Sequence, residues 1–346
     1  MVEQRQLPTM IDVANHAGVS LKTVSRVVNG ELGAGPETRE RVKRSIRELG
    51  YRRNGAAAEL RSGRSGLVGL VIGDVSEPFQ STLTRSIEDQ VVEQGMLLVT
   101  VSTEASRRRT QDALRHLMVR RPDGLIIFPS PESSDEYRQV LETDAKTVFV
   151  DRPAGDFPHD LARSDHRGGA RLGARRLIKR GHRRIAYLGD PQDLFTGTER
   201  RQGYVDALED AGIPYDPRLV HLQDPELPGA GEAFLAMLRL PDPPTAVLTG
   251  NSLTTIALLR CEGFDSKLTA HVAFDDILLA DVLRSPLTVV AQDIAGVGRE
   301  AAALLRRRLD GDESPAETIV LPLELRVRKS DWTLDVINRR RSRLAG

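Results

Sequence analysis

The chain has 346 residues, 28% of them charged, with 49 basic and 49 acidic side chains in balance and one cysteine. That length exceeds what one core ordinarily supports, so two or three domains are expected. Cys261 alone excludes an internal disulfide framework, and no apolar run is long enough to span a bilayer.

The charges are unevenly placed. Residues 1–65 hold twelve Lys and Arg against seven Asp and Glu, and the remainder carries the opposite surplus. A basic head on an acidic body suits a polyanion partner for the head. No N-terminal stretch has the pattern of a signal peptide, so a cytoplasmic protein is expected. Thr9 is placed to cap a first helix carrying Ile11, Val13, Ala14 and Ala17, with Asp12 in its first turn and Gly18 ending it. Ser20 then caps a second helix, in which Val24, Val27 and Val28 fall at inward spacing. Leu21, Lys22, Ser25, Arg26 and Asn29 lie off that stripe. Two such helices make a helix-turn-helix and need a third to bury them. Pro36 to Leu49 supplies it through Val42, Ile46 and Leu49, with Gly50 as the stop. Its other side carries Arg39, Arg41, Lys43, Arg44 and Arg47, a solvated face from which a few residues suffice for phosphate contacts.

DVANHAGVSLKTVSRVVNG, residues 12–30, resembles the N-terminal signature of the LacI/GalR family of transcriptional regulators. The resemblance implies that the second helix enters the major groove of double-stranded DNA. It puts Leu21, Lys22 and Arg26 at base edges, where Arg suits guanine and Leu a thymine methyl. Ser20, Thr23 and Ser25 then sit near phosphates, and Asn29 completes the DNA-facing set. It further implies that RRNGAAAELRSGRSG, residues 52–66, is a hinge helix that orders in the minor groove. Asn54 would cap it, Ala57 would allow close approach, and Leu60 would wedge between base pairs. Arg53 stands where the family often has Pro, and Ala58 where it often has Arg. A plain flexible linker fits the same composition.

From residue 66 the pattern changes. GLVGLVIGDV reads as a buried parallel strand, and strands then alternate with helical stretches: 78–95, 106–120, 134–144, 166–180, 199–212, 230–239 and 252–263. Two tandem α/β lobes of doubly wound parallel sheet are expected, a periplasmic-binding-protein-like, Venus-flytrap body. The resemblance implies three crossings between the lobes, placed here near Arg163–Asp165, Asp293 and Leu323. The resulting division is a helix-turn-helix domain at 1–52, a hinge at 53–65, and a body at 66–330. Lobe one takes 66–163 and 293–322, and lobe two takes 164–292 and 323–330. Residues 331–346 lack leucine heptads and read as a frayed basic tail.

Ligands of such sheets sit beyond the carboxyl ends of the strands. Those ends offer Asp151, Asn251, Asp275 and Gln292, and the loop DVSEPFQ offers Phe79. FTGTER matches the family segment whose Arg clamps the effector, which implies that role for Arg200, with Thr196 nearby. The resemblance implies a repressor released by a small polar, sugar-like effector, acting as a homodimer on a pseudo-palindromic operator. Nucleosides, purines and acids fit the cleft pattern as well, and the sign of control is not written in the residues. A transport protein of the same body would need a signal peptide and no DNA head. A nucleotide enzyme would need G-x-G-x-x-G or a P-loop, and neither follows the first strand. The seven histidines are scattered, so no catalytic triad, metal set or cofactor is expected.

Overall fold

The computed structural model describes residues 8–28, 32–51, 64–130, 133–223 and 229–345. The chain divides into two units, residues 1–65 and 66–346.

The first unit holds α1 (Met10–Ala17), α2 (Leu21–Val28) and α3 (Pro36–Leu49). Thr9 and Asp12 cap α1 reciprocally: the Thr9 hydroxyl accepts from the Asp12 N–H, and the Asp12 carboxylate accepts from the Thr9 N–H at 2.8 Å. Those bonds from Thr9 hold the Asp12 carboxyl below its ordinary range. Gly18 ends α1 at φ 62°, a left-handed conformation that a side chain would strain. The Ser20 hydroxyl accepts from the Thr23 N–H and starts α2. Val13, Ala14, Ala17, Val24, Val42 and Tyr51 form the buried centre, and Val27, Val28, Ile46 and Leu49 pack around it. Asn29 and the hinge residues Asn54, Ala57 and Leu60 lie outside the described residues.

The second unit begins with β1 (Leu67–Ile72), α4 (Pro78–Glu93), β2 (Leu97–Ser102), α5 (Arg107–Val119), β3 (Gly124–Ile127), α6 (Ser134–Leu141), β4 (Lys146–Val150) and β5 (Asp160–Ser164). Then follow α7 (His166–Lys179), β6 (Ile185–Gly189), α8 (Phe195–Asp210), β7 (Val220–Leu222), α9 (Ala230–Met237), β8 (Ala246–Thr249), α10 (Ser252–Arg260), β9 (Ala270–Phe274) and β10 (Thr288–Ala291). The chain closes with α11 (Ile294–Leu309), β11 (Thr318–Leu321), β12 (Glu324–Arg326) and α12 (Leu334–Ala345).

Two six-stranded sheets result, ordered β11-β5-β4-β3-β1-β2 and β12-β10-β9-β8-β6-β7. The first is parallel throughout; in the second only the β12 edge is antiparallel. Strands buried on both faces explain the unbroken apolar runs. In lobe one, Leu83 and Ile87 of α4 and Val297, Ala301 and Leu304 of α11 cover one face, while Leu114, Leu117 and Tyr137 cover the other. In lobe two, Ala170, Ala174, Leu177 and Tyr204 cover one face, and Phe234, Met237 and Leu258 the other. The chain passes between lobes after β5, after β10 and between β11 and β12.

Three expectations are corrected. The strand β5, DLARS, carries charges and was not anticipated; its buried Asp160 is matched by Arg308 of α11 at 2.7 and 2.8 Å. The helix α8 begins at Phe195, four residues before its expected start, because Leu194 provides no side-chain cap to mark it. The basic tail is the helix α12, docked on lobe two. Ile337 is fully buried, Arg340 lies 3.9 Å over the Trp332 ring, and Arg341 donates to the carbonyls of Leu268 and Pro244. Among the described residues no helix is long and apolar enough to cross a membrane, and no group of His, Cys, Asp and Glu could hold a metal ion.

Candidate effector cleft and nucleic-acid face

β4 and β9 hold equivalent places in the two sheets, and each ends in an aspartate with left-handed backbone: Asp151 at φ 71° and Asp275 at φ 72°. Each is held by the neighbouring strand: the Asp151 N–H donates to the Ala162 carbonyl and the Asp275 N–H to the Val290 carbonyl, both at 2.9 Å. Such conformations are uncommon outside glycine and gather where side chains are aimed for function. Gln292, just past β10, donates to the Asp275 carboxylate at 2.6 Å.

Arg200, on α8 and only 6% exposed, is the hub of lobe two. It donates to the Gly250 carbonyl at 2.8 Å, approaches the Asp190 carboxylate at 3.7 Å, and stacks 4.1 Å over the Phe274 ring. It also lies 3.3 Å from His166 Nδ1. A guanidinium only donates, so Nδ1 accepts and the imidazole proton sits on Nε2. That nitrogen faces the Asp151 carbonyl at 3.2 Å and its carboxylate at 3.5 Å. A continuous polar path therefore runs from Asp151 of lobe one through His166 to Arg200 of lobe two. Asn251 caps α10 by accepting from the Thr254 N–H, and its amide donates to Asp190 at 2.5 Å. Thr196 is buried one turn before Arg200 on the same helix.

On the lobe-one side Phe79 meets Phe128 edge-on at 6.3 Å, and Arg152 lies 4.5 Å over the Phe128 ring while pairing with Asp151 at 3.2 Å. Glu77 caps α4 through the N–H groups of Phe79 and Gln80. Burial raises the Asp151 carboxyl, but the His166 hydrogen bond and the charges of Arg152 and Arg200 outweigh it and leave it well below the ordinary range. Glu77 and Asp190 are both raised, chiefly by burial; the Asp275 charge pushes each further, and Asp151 also pushes Glu77. The carboxylates thus sense one another across the two lobes.

Asp151, Arg200 and Asn251 are joined through His166 and Asp190, Asp275 and Gln292 pair with each other, and Phe79 is tied to Asp151 through Phe128 and Arg152. Sequence reasoning missed His166, Asp190, Glu77, Phe128 and Phe274. Asp190 ends the strand β6 and would have been found by the strand-end rule. His166 was set aside for want of a local partner; its partners stand 15 residues before and 34 after. In the other unit, α2 turns Val24 inward and leaves Leu21 48% exposed beside exposed Lys22, with Ser20 also exposed and Thr23, Ser25 and Arg26 half-buried along the same helix.

Two family models match the chain: bacterial regulatory proteins of the lacI family over residues 9–54, and the periplasmic binding proteins and sugar binding domain of the LacI family over 65–326. The transcriptional regulator CelR of Thermobifida fusca is 35% identical over 95% of this chain and 100% of its own length. A CelR–cellobiose complex superposes with a TM-score of 0.69 at 34% identity, covering 93% of this chain and 99% of that one. The lac repressor dimer bound to operator and the anti-inducer ONPF superposes with a TM-score of 0.83 at 26% identity, covering 94% and 100%. The exposed helix α2 and the two-lobed cleft therefore have one explanation: the chain belongs to the LacI family of bacterial regulatory proteins and is a transcriptional regulator, not an enzyme.

Proposed function

We propose that this chain is a repressor that grips a pseudo-palindromic operator as a homodimer and lets go when a sugar-like effector fills its cleft. The head reads sequence through Leu21, Lys22 and Arg26 of α2, with Ser20, Thr23 and Ser25 at phosphates. The effector binds among Phe79, Asp151, Thr196, Arg200, Asn251, Asp275 and Gln292. The reading rests on polar groups at the strand ends of both lobes, and on two buried atoms among the proposed effector residues, Arg200 Nε and Gln292 Oε1, that have no partner among the described residues. An unpaired buried donor and acceptor each cost free energy until a ligand meets them. Likeness to a regulator solved with cellobiose supports a sugar, and likeness to an operator-bound dimer supports the assembly.

Binding energy that closes the cleft is returned as weakened DNA affinity, a coupling of about 1–3 kcal/mol. The test is a fluorescence-anisotropy titration on a palindromic site selected from genomic fragments. Arg26→Ala lowers affinity for that site by about 1–3 kcal/mol while sparing bulk DNA binding. Arg200→Ala keeps the operator and loses release by cellobiose or whichever sugar releases the parent. A variant lacking Arg200 that still responds normally would refute the cleft assignment.

A further inference from the structure

Resting on the reading of the cleft as a sugar receptor, we infer that it selects uncharged polyols and turns away sugar acids and sugar phosphates. The ground is how the cations of the cleft are already engaged. Arg152 pairs with Asp151 at 3.2 Å, and Arg200 faces Asp190 at 3.7 Å. Each guanidinium therefore already has a carboxylate counter-charge, and of Arg200 only Nε is left unmatched among the described residues. Glu77 and Asp275 add two further carboxylates, and the upward push of Asp275 and Asp151 on Glu77 marks them as near neighbours. Arg163 is likewise occupied, stacked on Phe195 at 5.4 Å. An anionic substituent would enter a water-poor site that already holds Asp151, Asp190, Glu77 and Asp275.

The open hydrogen-bonding capacity points the same way. Arg200 Nε is a donor and Gln292 Oε1 an acceptor, both buried and unmatched among the described residues. A hydroxyl donates and accepts, so a polyol satisfies both. A carboxylate or phosphate placed against Gln292 Oε1 only accepts at neutral pH and leaves it orphaned. Phe79 and Phe128, both partly exposed, supply apolar ring surface that suits the C–H faces of a pyranose. Asp190 is the determinant of this selectivity: it is held by Asn251 at 2.5 Å in the place where an incoming anion would seek Arg200.

The experiment uses the full-length protein at pH 7.5 and matched probes: glucose with glucuronate and glucose 6-phosphate, and cellobiose with cellobionate. Thermal midpoints screen the set, and calorimetric titration gives the affinities. The neutral member of a responding pair binds at least about a hundredfold more tightly than its acid, about 2.7 kcal/mol. Asp190→Asn keeps an amide partner for Asn251 and frees Arg200; it narrows that ratio by tenfold or more through tighter binding of the acid. An acid or phosphate that matches its neutral partner overturns the inference, as does an Asp190→Asn protein with an unchanged ratio. If no member of any pair moves the midpoint, the sugar-receptor reading falls and takes this inference with it.

Discussion

His271 shows how one buried side chain sets a pH dependence for the whole body. It stands in β9 with Nε2 3.0 Å from the Thr249 hydroxyl, and burial pushes its imidazole down to about 3. The unfolded chain binds that proton below about pH 6.5, while the folded chain does not. The stabilisation is therefore complete above pH 6.5 and drains away as the pH falls towards 3, by about 2 kcal/mol between 6.5 and 5. His182, whose pKa burial also lowers, acts in the same sense. Urea midpoints at pH 7.5, 6 and 5 should fall in that order, and His271→Gln should flatten the series. A slope unchanged in the variant would assign the effect elsewhere. Residues of this kind are illegible in sequence, since nothing local distinguishes His271 from a surface histidine. The strand-end positions of Asp151, Asp275 and Gln292 were legible, because the apolar runs that precede them mark the strands. His166 was not, because its partners stand far away in the chain, Asp151 on lobe one and Arg200 on another helix.

At the scale of elements, local signals were read wherever the physics is local. Thr9, Gly18, Ser20, Pro36 and Gly50 bound their helices as their chemistry requires. The strand β5 escaped because two of its five residues are charged, and only the fold brings Arg308 to Asp160. Arg308 also donates to the carbonyls of Asp312, Ser314 and Pro315, so it shapes the loop leading into β11. Arg308→Leu strands a buried carboxylate and should cost about 3–5 kcal/mol in chemical denaturation. The double variant with Asp160→Leu should recover much of that loss. If the single change costs under 1 kcal/mol, the pair does not hold the edge of the sheet. The tail was misjudged for a similar reason: charge density promised a frayed end, while Ile337 and stacking on Trp332 dock it as a helix.

For the molecule as a whole, linkage ties the two binding events. If a sugar weakens operator binding by a given factor, operator must weaken sugar binding by the same factor, about 5–150-fold. Calorimetric titration of the sugar with and without saturating operator checks this equality. Unequal factors would mean that the DNA-bound and sugar-bound forms are not linked through one equilibrium. The lobes are interleaved rather than consecutive. Lobe one, as far as residue 164, lacks both β11, which edges its sheet, and α11, whose Val297, Ala301 and Leu304 complete its core. No single break in the gene therefore releases an intact lobe, and no single recombination event can graft a foreign half-receptor onto this one.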